Sequence, residues 1–123
     1  MALVIGKKET RTIKITADEP GDLLKSTKHQ FEVEFKLIKK DEVENIKQSY
    51  RNYDNDGADM AVLETIVDVK GIKENGNDVQ YSASTVGPAL VECPWVWNAI
   101  VSAFYNVQAG VTQVDYYKFK AKN

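Results

Sequence analysis

Between Phe31 and Leu37, apolar and charged residues take turns along the chain. Phe31, Val33, Phe35 and Leu37 fall on one side, and Glu32, Glu34 and Lys36 on the other. Side chains of a strand alternate between its faces, so residues 29–39 are expected to form a strand with one face buried and one wet. Upstream, Thr10, Thr12 and Thr16 interleave with Ile13 and Ile15. Such β-branched residues suit a half-buried pleated surface, which predicts a second strand over 10–16. Residues 3–5 also read as extended. Ala17-Asp18-Glu19-Pro20-Gly21-Asp22 between the two strands is turn chemistry. The strands should therefore pair as an antiparallel hairpin, with Leu23 and Leu24 tucking the loop down.

The period changes at Lys40. Val43, Ile46, Tyr50 and Tyr53 recur at spacings of three and four, as one helical stripe, and Asp41 with Glu44 fits a capping box. Asp54-Asn55-Asp56-Gly57 ends that stripe. A second stripe of Met60, Leu63, Ile66 and Val67 follows Asp59, read as its cap. Near residue 67 the pattern becomes β-branched. Glu74-Asn75-Gly76-Asn77 holds the Asn-Gly pair favoured in tight hairpins, so residues 68–73 are expected to pair with 78–82.

From Ser82 to Gly110 the only charged residue is Glu92. Ser82 or Ser84 should cap a short helix carrying Val86, Ala89, Leu90 and Cys93. Pro94 closes it and suits the first turn of the next helix. That helix presents Val96, Ala99, Ile100, Ala103, Phe104 and Val107 as a core stripe. Trp97, Val101 and Tyr105 form a second stripe beside the first, and Gly110 is a stop. Trp95 and Trp97 lie about 200° apart on a helix, so both cannot face one core. One of them is expected to cap the edge of the domain or meet a partner, the plainer reading being that both are partly buried by the sheet and the tail. The candidate contact residues are Trp95, Trp97, Val101 and Tyr105.

Composition narrows the function. The chain has 123 residues and a formal net charge of −2, which argues against a general nucleic-acid binder. No apolar run approaches the ~18 residues of a membrane span. Met1 to Lys8 holds too short an apolar run for a signal peptide, with its charges after the run rather than before it. The single cysteine, Cys93, cannot form an internal disulfide and reads as a packed thiol. A soluble protein of a reducing cytosol is expected.

Catalytic chemistry finds no foothold. His29 is the only histidine, so neither a Ser–His pair nor a histidine-based metal site can form within one chain. Asn52-Tyr53-Asp54-Asn55-Asp56-Gly57 matches the first half of a calcium loop, but the twelfth position is Leu63 and Glu64 comes one residue late. The plain reading is an Asx-rich turn. The expectation is a non-enzyme with no catalytic residue, no metal and no cofactor.

Residues 60–109 resemble the tail assembly chaperones of long-tailed bacteriophages. The resemblance lies in Leu63-Glu64-Thr65-Ile66-Val67-Asp68-Val69-Lys70-Gly71-Ile72, the turn Glu74-Asn75-Gly76-Asn77, Tyr81-Ser82, Val86 to Val91, Pro94, and Ala99-Ile100-Val101-Ser102-Ala103-Phe104-Tyr105. Val69 stands where the family often has Trp, and the tail beyond Gly110 lies outside the pattern. The resemblance implies an oligomeric morphogenetic protein of the host cell cytoplasm, absent from the finished virion. Its partners would be the tape measure protein, which it keeps soluble, and the major tail protein of the tube. Neither nucleic acid nor membrane is implied as a partner. Many such proteins also have a longer frameshifted product, and Ala121-Lys122-Asn123 is a sequence that a slippery A-AAA-AAC run can encode. The alternative is a structural tail or head–tail connector protein.

The fold expected is α+β: a small N-terminal antiparallel sheet, helices packed on one face, and a short hairpin near residues 68–82. Residues 1–123 read as one domain, sheet-rich over 1–39 and helical over 40–110, with a C-terminal tail over 111–123.

Overall fold

The computed structural model describes residues 9–111. Strands β1 (Thr10–Pro20) and β2 (Ser26–Lys36) form an antiparallel hairpin in which Ile13 faces Val33 and Ile15 faces Phe31. Their alternation puts Ile13, Ile15, Ala17, Phe31, Val33 and Phe35 into the core, each under 10 % exposed. Strand β3 (Ile66–Lys70) pairs with the other side of β2, giving the order β1-β2-β3. Helices α1 (Lys40–Arg51) and α2 (Asn55–Thr65) come between β2 and β3. A two-residue ladder, β4 (Lys73–Glu74) with β5 (Asn77–Asp78), leads to α3 (Val86–Val91) and α4 (Pro94–Gln108). This is the α+β architecture read from the sequence. The extended reading of residues 3–5 and the tail from Thr112 onward fall outside the described residues.

Helix α4 holds the molecule together. Pro94 opens it at the first turn, where the missing N–H is harmless. Ile100, Ala103, Phe104 and Val107 are wholly buried against the sheet, chiefly β1. Phe104 meets Phe35 edge to face, with ring centroids 5.9 Å apart. Ile100, Phe104 and Val107 each contribute about 1.5–3 kcal/mol by that burial. At the other end, the Gln108 side chain accepts from the Ile38 N–H at 3.0 Å and donates to the Lys36 carbonyl at 2.7 Å. That amide clamps the helix to the end of β2.

Several expectations are corrected. Residues 66–70 join the main sheet, so the expected 68–82 hairpin shrinks to the β4–β5 ladder around Asn75-Gly76. Pairing between β2 and β3 slips after Glu34, since Glu34 opposes Asp68 and Phe35 opposes Ile66. Val67 is the extra residue of this bulge and is 41 % exposed, while Ile66 and Val69 both reach the core. Helix α1 starts one residue before Asp41, with Lys39 at its cap and no side-chain cap bond. The α2 cap is Asp54, whose Oδ1 accepts from the Gly57 N–H at 3.2 Å, so Asp59 lies inside the helix. The buried face of α2 is Ala58, Val62 and Thr65, and Met60 is 58 % exposed. Tyr53 ends no core stripe: it stands in the turn with φ 61° and is 90 % exposed.

Two glycines hold close approaches. Gly71 ends β3 at φ +95°, and a Cβ there would sit 3.2 Å from the Phe31 Cα. Gly87 is buried in α3, where a Cβ would lie 3.1 Å from Leu63 Cδ1 and 3.2 Å from the Tyr81 hydroxyl. The far end of the β1–β2 hairpin is open. Its side chains from Asp18 to Gly21 and from Lys25 to Gln30 are exposed, and Leu23 at the tip is 89 % exposed with φ 56°.

Candidate functional site

Helices α1, α2 and α4 meet around one carboxylate. Asp59 is half-buried in α2. Its Oδ1 accepts from the Tyr50 hydroxyl of α1 at 2.6 Å and from the Trp97 Nε1–H of α4 at 2.8 Å. A buried indole N–H needs an acceptor, and Asp59 supplies it across 38 residues of chain. Trp97 is only 5 % exposed. Burial, together with the hydrogen bond and charge of Asp59, pushes the Tyr50 phenol well above its ordinary pKa.

Beside this junction runs a groove of about 520 Å³, lined by Tyr50, Asp59, Trp97, Asn98, Val101, Ser102 and Tyr105. Successive turns of α4 place Trp97, Val101 and Tyr105 in line, since residues four apart share a helix face. Tyr105 packs edge to face on Phe104 at 5.3 Å, which fixes its ring. The Lys47 ammonium lies 5.7 Å from the Tyr105 ring centroid and 3.5 Å from the Glu44 carboxylate. Burial raises the Tyr105 phenol above its usual pKa, and the Arg51 charge partly opposes that.

Three of the four expected contact residues thus line one groove, and the fourth stands apart. Trp95 is half-buried at the start of α4, with its ring 5.4 Å from that of His29 on β2. His29 Nε2 is 2.8 Å from Glu19 Oε1 on the facing strand. Neither indole projects freely into solvent. The sequence reading missed Tyr50 and Asp59 as members of the groove. A signal for Asp59 was available: it sits three residues before the core position Val62, on a helix that must pack against a tryptophan-bearing one.

The calcium-like run resolves into the Asp54 cap and the first turn of α2. Cys93 is half-buried at the cap of α4. Among the described residues no cluster of three or more His, Cys, Asp or Glu could hold a metal. No helix among them is long and apolar enough to cross a membrane. Comparison with protein-family models, curated proteins and solved structures found no match.

Proposed function

We infer that this chain is a bacteriophage tail assembly chaperone. It binds the tape measure protein, keeps it soluble in the host cytoplasm, and promotes tail tube assembly with the major tail protein. The observation that carries the reading is the apolar groove on α4, which offers Trp97, Val101 and Tyr105 to an extended partner. The resemblance of residues 60–109 to that family supports it.

The energetics suit a holdase. A partner side chain seated in the groove contributes about 2 kcal/mol, whereas micromolar affinity takes about 8 kcal/mol. Single sites are then weak, and several copies along one long partner hold it by multivalency. Weak individual sites also let the coat leave when the tube takes over. Oligomerisation of the chain would serve the same end.

Co-expression with a candidate tape measure protein tests the reading. The partner should become soluble with the native chain, and much less so with Val101→Glu, which puts a charge into the groove. A partner that stays equally insoluble with and without the chain overturns the proposal. Mass spectrometry of purified particles separates the structural alternative, because a chaperone is absent from them and a tube or connector subunit is present in stoichiometric amount.

A further inference from the structure

We propose that the α4 groove is a receptor for a basic side chain, a lysine or arginine carried on an otherwise apolar segment of the bound partner. The inference rests on the reading of the groove as a partner-binding surface and adds the chemistry of what enters it.

The argument begins with charge. Asp59 Oδ1 is saturated by two neutral donors, Tyr50 and Trp97. Neither neutralises the carboxylate, and among the described residues its second oxygen has no hydrogen-bond partner. The Lys28–Asp18 and Lys47–Glu44 ion pairs do not reach Asp59. A half-buried carboxylate without a counter-charge is an expensive arrangement in isolation. Here it is held in place by two hydrogen bonds and opens onto a groove.

The walls point the same way. Tyr50, Trp97 and Tyr105 bring three aromatic rings to the groove. Aromatic faces carry partial negative charge and attract cations within about 6 Å. The chain already uses this attraction on Tyr105, where Lys47 lies 5.7 Å from the ring centroid. Val101, between Trp97 and Tyr105, offers an apolar seat for the methylene stem of a lysine or arginine, whose head then meets Asp59.

Polarity along the groove follows. Lys47 and Arg51 stand on the Tyr105 side and would repel a second cation there. The basic residue of the ligand therefore sits at the Asp59 end, and the ligand residue beside Tyr105 is neutral or acidic. An apolar segment with no basic residue would fill the groove and leave Asp59 buried and uncompensated, so the carboxylate acts as a selector.

The test uses the full chain and three synthetic helical peptides of twelve residues. Each has a leucine face and differs at one central position, which is lysine, norleucine or glutamate. Calorimetric titration should find the lysine peptide roughly tenfold tighter than the norleucine one, with the glutamate peptide weakest. Asp59→Asn keeps an oxygen for Tyr50 and Trp97 but removes the charge. It should abolish the lysine preference, because the lysine peptide loses its counter-charge and the norleucine peptide no longer strands a carboxylate, and a retained cooperative melt would show that the fold is kept. Equal binding of the lysine and norleucine peptides overturns the proposal, as does a lysine preference that survives in Asp59→Asn. Binding of none of the three also overturns it. The chaperone reading falls separately, on the co-expression result, so the two failures are distinguishable.

Discussion

The two tryptophans of α4 sit two residues apart and live in different worlds. Trp97 is buried, bonded through its N–H to Asp59, and ties three helices into one junction. Trp95 lies half-buried on the other side of the helix, against a histidine of the hairpin. A helix of 15 residues crossing a three-stranded sheet has two flanks besides its core face. One flank is covered by α1 and α2 and becomes a groove. The other carries Trp95 beside His29 of the hairpin. The difference teaches that a groove is a property of a flank rather than of an exposed indole, since the indole that lines the groove is the more buried of the two.

The harshest way to break the contrast is truncation. Trp97→Ala should lose about 3–5 kcal/mol, because it removes a large buried ring and leaves Asp59 and Tyr50 repacking around a void. Trp95→Ala should lose about 1 kcal/mol. Denaturant melts of the two variants measure this directly, and equal losses would collapse the distinction.

Next in size is the acceptor. Asp59→Ala leaves the Trp97 N–H and the Tyr50 hydroxyl without their bond, at a cost of about 1–3 kcal/mol, while Asp59→Asn costs much less. An alanine variant as stable as the native chain would mean that water serves both donors and the junction is looser than it looks.

Alkaline pH gives a smaller handle on the same corner. Tyr50, Tyr81 and Tyr105 all have phenols raised above their ordinary pKa, chiefly by burial. In the unfolded chain tyrosine ionises near pH 10. The unfolded state then sheds protons before the folded one, so stability holds below about pH 10 and falls as pH rises beyond it. Tyr50→Phe should flatten that fall, read as denaturation midpoints between neutral and strongly alkaline pH. A fall of unchanged steepness would assign the dependence to other tyrosines.

The smallest effect belongs to the hairpin side. Leu23 holds a left-handed backbone while exposing its side chain. Leu23→Asn should raise stability by less than about 1 kcal/mol, because asparagine tolerates that conformation better. Its melting temperature should move without any change in peptide binding, which keeps the two flanks separate.

Much of the fold was legible because its signals are local. The alternation from Phe31 to Phe35 needs only the strand period. Pro94 after Cys93 needs only the chemistry of a helix start. The stripe Ile100, Ala103, Phe104 and Val107 is visible at helical spacing. Three residues of the candidate site were legible for the same reason, since Trp97, Val101 and Tyr105 belong to one helix. Asp59 and Tyr50 were not, because what joins them to Trp97 is tertiary packing, and Asp59 looks like a cap when only its neighbours are seen. The phase of α2 was missed through a related cause. Apolar residues surround much of that helix, so periodicity chooses poorly between Met60 and Val62. Val67 escaped because a bulge breaks the strand period, and nothing in the residues themselves marks the break.

The overhanging end of the hairpin has a consequence in the time domain. Beyond the pair Ala17 and His29 the two strands are held by three more pairs and the surface contacts of Lys28 with Asp18 and His29 with Glu19. No core is lost when that end opens, so its amides should exchange with solvent through local fraying, far ahead of those at Val33 or Phe104. The loop from Gly21 to Lys25 is then where a protease cuts first and where an inserted tag is best tolerated. A label placed there would report on the chain while leaving the groove, on another flank of α4, untouched.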